Sequence, residues 1–234
     1  MSKVRITQFD QINELTRGVD VPIEPIGSDM LSLIVEAIAE AWEHVRTTYP
    51  DKVVLAEEPE ISALLISRLN ASLNWNLPLS LVVSSVHRGS ESISFNGAKF
   101  EGRPDLVFTL TKWDKRFNLV GESKIIDLPK GKTAALYRNK GIQRFVDGEY
   151  AWGTKEGLVV AYVRCGSKLE HTLLDSLSEY AGMNCSASAM HTATKPPVQP
   201  GTLGTSTHGR KFSYAHQTAS VPGEIELWHL WLEI

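Results

Sequence analysis

The chain has 234 residues, 42% of them hydrophobic, and a net charge of −3; this suits one large domain or two small ones and excludes a protein with a global basic field. Two cysteines, Cys165 and Cys185, are too few for a disulfide framework or a zinc set, no apolar run approaches the length of a membrane span, and residues 1–10 lack the apolar segment of a signal peptide. The expectation is a soluble, cytoplasmic protein without a membrane partner, in which any contact with nucleic acid comes from a local patch.

Residues 1–27 carry Pro22, Pro25 and Gly27 with little periodicity and read as an extended lead-in. Ser28 or Asp29 is placed to cap a helix in which Met30, Leu31, Ile34, Ala37, Ile38 and Trp42 recur at helical spacing to about residue 46. Tyr49-Pro50-Asp51 stops it, and Glu36, Glu40 and Glu43 form its solvated face. A second helix begins near Pro59, a residue suited to a first helical position, with Ile61, Leu64, Leu65 and Leu69 as its buried stripe. Glu57, Glu58 and Glu60 crowd its N-terminus, where the helix dipole alone favours carboxylates by under about 1 kcal/mol. Residues 79–86 are an apolar run and read as the first core strand, followed by a looser strand-and-turn region over residues 88–102.

The most informative stretch comes next. Leu106-Val107-Phe108-Thr109-Leu110 and Asn118-Leu119-Val120-Gly121-Glu122-Ser123-Lys124-Ile125-Ile126 are two β-rich runs around a charged turn at Asp114 and Lys115. This is the pattern of a β-hairpin. Side chains alternate faces along a strand, so Glu122 and Lys124 point the same way, and the hairpin returns the chain to Asp105 just after Pro104. Two carboxylates and a lysine at the edge of an apolar sheet cost desolvation energy unless something pairs them. A hard divalent cation such as Mg²⁺, with Mn²⁺ as an alternative, takes one or two carboxylates and fills its other positions with water and phosphate oxygens.

After a break at Asp127-Leu128-Pro129-Lys130-Gly131, residues 133–152 read as a helix with Ala135, Ile142, Phe145, Val146 and Tyr150 on its apolar face. Lys130, Lys132, Arg138, Lys140 and Arg144 make this the most basic window of the chain, either a solvated face or a track for a phosphate backbone. Residues 157–163 are continuously apolar, as in a strand buried on both faces. Residues 169–181 read as a covering helix, residues 182–222 as a long loop rich in Ser, Thr, Gly and Pro, and residues 225–234 as a final strand. His216 and His229 could form an acid–base pair, but a lone histidine near a strand is more often structural.

Pro104-Asp105 followed by Glu122-Ser123-Lys124, on strand, turn and strand before a helix, resembles the core motif of the PD-(D/E)XK nuclease superfamily. The resemblance covers roughly residues 57–165. It implies an α/β fold, a mixed central β-sheet flanked by helices of the restriction-endonuclease-like kind. In this division residues 1–56 are a lead-in and helix, residues 57–181 the nuclease-like core, and residues 182–234 a loop and strand completing the same domain. It also implies a Mg²⁺-dependent deoxyribonuclease, of the sort that serves bacterial defence or restriction, with nucleic acid (DNA before RNA) as partner and reliance on a partner protein or a homodimer. Asp105 and Glu122 would hold the metal, joined by a helix carboxylate, Glu60 before Glu57. Lys124 would act on the attacking water or on developing charge, and Gln143 on the following helix would orient site groups, although the tyrosine spacing of the RecB-like branch is absent. Two other classes stay open: a degenerate nuclease fold that binds nucleic acid or a partner protein without cleavage, and a metal-dependent hydrolase of another phosphate substrate.

Overall fold

The computed structural model describes residues 7–90, 93–96, 102–178, 185–186, 203–214 and 221–234. The lead-in is not wholly extended: Thr7 and Asp10 form a reciprocal capping box that opens a helix, α1 (Gln8–Leu15). The next helix, α2 (Ser28–Thr48), follows the expected periodicity, but its N-cap is Gly27, so Ser28 and Asp29 stand inside the first turn rather than capping it. Tyr49 ends α2, and Pro50 at once starts α3 (Pro50–Leu55), because its fixed φ and missing N–H cost nothing at a helix start. Helix α4 (Glu58–Ser72) carries Pro59 in its first turn as expected.

The apolar run over residues 79–86 divides. Asn76 caps Leu79 N–H and Pro78 sits in the first turn of α5 (Leu77–Val82); only then does β1 (Val83–His87) begin. A short apolar run cannot by itself distinguish helix from strand, and here the cap and the proline decide. The hairpin forms as expected, with β2 (Leu106–Leu110) antiparallel to β3 (Leu119–Ile126) and Leu106 opposite Gly121.

The single helix expected over residues 133–152 is shorter and irregular. It comprises α6 (Ala134–Tyr137), a π-helical turn over Arg138–Ile142, and α7 (Gln143–Val146). Gly148, at φ +72°, takes the left-handed conformation just past the helix end, which is why the apolar pattern continuing to Tyr150 and Trp152 does not extend it. Strand β4 (Glu156–Val163) is buried along its whole length. Helix α8 is described over Leu169–Ser178, and its expected end at residue 181 lies outside the described residues.

The stretch expected as loop, residues 182–222, instead supplies two strands, β5 (Cys185–Ser186) and β6 (Leu203–Gly209), the latter pairing antiparallel with β7 (Glu224–Glu233). Strand β6 reads Leu-Gly-Thr-Ser-Thr-His-Gly. Its small polar residues look like loop composition, but the register with β7 buries them.

The sheet is mixed and seven-stranded among the described residues, in the order β1-β2-β3-β4-β7-β6-β5. β3, β4 and β7 run parallel at its centre, and antiparallel pairs lie on both sides. One face packs on α2 and α4 through Ile34, Ile38, Leu65, Phe108 and Tyr162. The other packs on α7 and α8 through Phe145, Leu173, Val159 and Trp231. This is an open α/β sheet flanked by helices. Among the described residues no helix is long and apolar enough to cross a membrane.

A buried polar chain crosses the second face. Tyr137 Oη donates to Val159 O at 2.9 Å and lies 2.9 Å from His229 Nδ1; Ser206 Oγ lies 2.6 Å from His229 Nε2 and 2.5 Å from His208 Nε2. One polarity satisfies every link with both rings neutral: His208 Nε2–H to Ser206, Ser206 O–H to His229, His229 Nδ1–H to Tyr137, and Tyr137 O–H to Val159. His229 is therefore a structural histidine, and its suggested companion His216 lies outside the described residues. Desolvation pushes His208 down to about 4 and His229, which also faces His208, down to about 3, from the usual 6.5.

The unfolded chain binds protons on both rings once the pH falls below about 6.5, while the folded chain does not, so their contribution to stability is present above that pH and is lost on acidification towards 3–4. Glu122 and Glu156, which burial pushes up to about 7, work the other way: they lose stability as pH rises from their usual 4.5 through 7. The histidine part is isolated by difference. His229→Gln should be less stable than wild type at pH 7.5, and the gap in urea midpoint should narrow as the pH is lowered to 4.5. A constant gap would show that the native ring takes up its proton as readily as the unfolded one.

Candidate functional site

Strand β3 runs on past the end of its partner. The β2–β3 pairing stops at Leu106 opposite Gly121, because Pro104 cannot continue the ladder, while β3 stays paired with β4 as far as Ile126. The amides of Ser123 and Ile125, on the edge that β2 has left, are met by side chains instead. Ser123 N–H donates to Asp105 Oδ2 at 3.1 Å, and Ile125 N–H donates to Glu58 Oε2 at 3.1 Å. Both carboxylates thus act as one-residue extensions of the missing strand, which fixes their positions.

The charged groups converge there. Asp105 stands opposite Glu122 by continuation of the register, and Arg88 approaches Asp105 Oδ1 at 3.6 Å. Glu122 is 2% exposed; its Oε1 receives Lys124 Nζ at 2.7 Å and Arg144 Nη1 at 3.0 Å. Lys124 Nζ also donates to Glu58 Oε1 at 3.0 Å and to Ser123 O at 2.6 Å. Three acceptors around one amine require three N–H donors, which is the ammonium form. Burial would push the Lys124 amine down, but Glu122 and Glu58 outweigh it and hold its affinity for the proton above the ordinary value. Burial raises the Glu122 carboxyl to about 7, against the lowering effect of Lys124, with Asp105 adding to the rise.

Asp105, Glu122 and Lys124 are thus brought together as the hairpin pattern implied. Glu60 is not with them. It is exposed, and its carboxylate turns back to accept from Glu57 N–H at 3.0 Å, closing the helix cap. Glu57 pairs at the surface with Lys132 at 3.0 Å. The helix carboxylate of the cluster is Glu58, which the sequence reading passed over. The signal was present: Glu58 shares the helix face of Ile61, Ser62, Leu65 and Leu69, the buried stripe at i+3, i+4, i+7 and i+11, whereas Glu60 does not.

On the following helix, Gln143 Nε2 donates to Asp147 at 2.6 Å and its Oε1 is buried without a partner, while it is Arg144 that reaches Glu122. Of the other basic residues, Lys130 lies 3.4 Å from Asp127, Arg138 donates to Ser176 Oγ at 3.0 Å, and Lys140 is exposed.

Among the described residues no three acidic, histidine or cysteine side chains are gathered as a metal-binding group. A pair of carboxylates is nevertheless enough for Mg²⁺, which keeps several waters. Glu122 Oε2 is buried and has no hydrogen-bond partner, an acceptor that costs free energy as it stands and that a cation beside Asp105 would satisfy. The donor chemistry fits a hard divalent ion. No family model, curated protein or solved structure matches the chain.

The two glutamates of the α4 N-terminus should behave differently. Glu58→Ala leaves the buried Ile125 N–H without an acceptor and Lys124 with one partner fewer, and should cost roughly 1–3 kcal/mol in urea denaturation. Glu60→Ala loses only an exposed cap bond and should cost less. Equal losses for the two would remove Glu58 from the cluster.

Proposed function

We propose that the chain is a Mg²⁺-dependent nuclease of PD-(D/E)XK type that hydrolyses phosphodiester bonds, in DNA before RNA, on a restriction-endonuclease-like sheet. The observation that carries this reading is the convergence of Asp105, Glu122 and Lys124 at the free edge of β3, with a buried and unpartnered oxygen on Glu122. Asp105 and Glu122 would hold the ion. When bound there, Mg²⁺ or Mn²⁺ supplies a more acidic water and neutralises charge on the scissile phosphate.

The protein's own groups account for the rest. Asp105 is fixed through Oδ2 by the Ser123 amide, and its Oδ1, which Arg88 approaches at 3.6 Å, is the oxygen it would offer the ion. Lys124, as an ammonium, stabilises negative charge on the phosphate and orients the attacking water through its N–H groups, rather than removing a proton. Glu58 holds Lys124 in place and is a positioning residue. Arg144 bridges Glu122 and the Tyr150 hydroxyl and offers a second cation at the same spot. Lys130 and Lys140, on the same stretch, present charge to the phosphate backbone beyond the site. Action within a bacterial defence or restriction system, in the cytoplasm and with a partner protein or a second copy for specificity, belongs to the same proposal.

One observation favours a second reading, a nuclease-like fold that binds without cutting. Glu122 is already neutralised by two cations and Asp105 faces Arg88, so the cluster is electrically balanced without a metal.

Plasmid cleavage with Mg²⁺ or Mn²⁺, paired with calorimetry of ion binding, decides between them. Asp105→Ala and Glu122→Ala should lose ion binding and cutting together. Lys124→Ala should keep the ion and lose cutting by roughly 10²-fold or more. Cutting that survives the two carboxylate substitutions combined would end the nuclease reading, and ion binding without cutting would favour the second. Separately, Lys140→Ala should weaken DNA binding alike for all sequences and reduce the salt slope by about one. An unchanged slope would make this face a solvated one only.

A further inference from the structure

The hairpin face that carries Asp105 and Glu122 does not end with them. One residue pair further along the same face Val107 stands opposite Val120, and Asn118 follows two residues beyond Val120. These side chains line a half-open cavity of about 330 Å³, walled also by Pro104, Tyr150 and Trp152. Its volume falls at the small end of the range for ligand pockets, about 300–1,000 Å³, and its walls are mixed: Phe117, Tyr150 and Trp152 form an aromatic side, with His87, Arg116 and Glu149 also on the lining.

Three features make it more than a packing gap. Its position is tied to the charged cluster, because the Tyr150 ring that lines it accepts through its hydroxyl from Arg144, the residue bound to Glu122. Its aromatic wall is held rigidly. Trp152 Nε1 donates to Ile93 O at 2.8 Å, and Phe117 meets the Trp152 ring edge-on at 5.8 Å. Phe117 itself lies so close to Gly153 that a Cβ there would come within 2.3 Å of its ring. The third feature is an unmet polar group: Asn118 Oδ1 is buried and has no hydrogen-bond partner, although the residue lines the cavity. A buried amide oxygen in that state costs free energy that an N–H donor reaching it would recover.

We propose that this cavity receives one unstacked base of the strand whose phosphate lies at Asp105 and Glu122, so that the substrate is single-stranded or locally opened nucleic acid. The inference rests on the nuclease reading for the placing of the phosphate. A flat heterocycle with an exocyclic amino group has the shape for aromatic walls and the donor for Asn118. Stacking on aromatic side chains tolerates any base and is the general means by which single strands are held. The distance suits a neighbouring nucleotide, since the cavity floor starts one residue pair, roughly 7 Å, from the carboxylates. A continuous duplex keeps its bases stacked and offers none to the cavity unless it is opened.

The test uses the intact chain with Mg²⁺ and a fluorescein-labelled DNA strand of about twelve nucleotides with phosphorothioate linkages, which resist cutting. Anisotropy should show the single strand bound at least about tenfold more tightly than its duplex. Val120→Phe fills the cavity without touching a charge, and Asn118→Ala removes the amide; each should weaken the strand by about tenfold while the thermal melt stays cooperative. A single abasic position, moved along the strand, should reproduce that loss at one place in wild type and cost nothing further in Val120→Phe. Should Val120→Phe fail to fold, the same comparison is made in Asn118→Ala. The inference is overturned if the variants bind the strand as wild type does, if the abasic cost is the same with the cavity filled, or if free adenosine monophosphate binds as tightly as the strand. Plasmid cutting is read independently. Cutting that persists with these binding results negative removes the base pocket and leaves the nuclease, and base-dependent binding without cutting does the reverse.

Discussion

Two backbone amides organise this molecule. Where β2 leaves β3, Ser123 and Ile125 keep N–H groups on a buried edge with no strand to accept them, and a buried amide without a partner costs on the order of 1–3 kcal/mol. Asp105 and Glu58 meet that demand, one from the end of β2 and one from the first turn of α4. The consequence is chemical as well as structural. The oxygens that satisfy the edge belong to carboxylates, so ending a ladder brings negative charge to the place where Glu122 already points. Lys124 and Arg144 answer that charge, Lys124 lying between Glu122 and Glu58 and Arg144 reaching Glu122.

Such a cluster is not evidence of stability in itself. Burying ions costs several kcal/mol apiece, and their mutual attraction only offsets this when every lone pair is used. Glu122 Oε2 shows that here not every one is. The cluster is thus held slightly short of satisfaction, while Ser62, Ser123 and Tyr162 on the opposite face of β3 are hydrogen-bonded to one another. That contrast between a complete polar group on one face and an incomplete one on the other is what directs a functional reading to the Glu122 side.

The sequence made the hairpin legible because alternation is a local property: Glu122 and Lys124 share a face whatever else the chain does, and a proline before Asp105 marks where pairing stops. The helix carboxylate was harder. Three glutamates within four residues all suit a helix start; Glu60 lies beside Leu64, which is only partly buried, whereas the phase of the fully buried stripe Ile61, Leu65 and Leu69 singles out Glu58. The basic window was read as one helix face, but the π-helical turn over Arg138–Ile142 shifts the phase, so Arg144 turns inward to Glu122 while Lys140 stays in solvent. Strand β6 was illegible for a different reason. Its Gly, Thr and Ser residues are buried only because β7 lies beside them, and composition alone describes them as loop.

The order of the sheet has a bearing on how the chain comes to be folded. β7 lies between β4 and β6, and Trp42 of α2 donates to Glu233 O at its far end, 191 residues away. Until residues 224–233 have left the ribosome, β4 has a bare and, beyond Glu156, apolar edge, and β3 and β4 can form only part of the parallel centre. Contacts of such long sequence separation are slow to form, and an unpaired apolar edge is open to pairing with other chains. A nascent chain of this design is therefore exposed to misassembly from the completion of β4 until β7 emerges, and a break in translation between the two yields a product whose β2–β3 hairpin is complete but has no finished sheet to stand on.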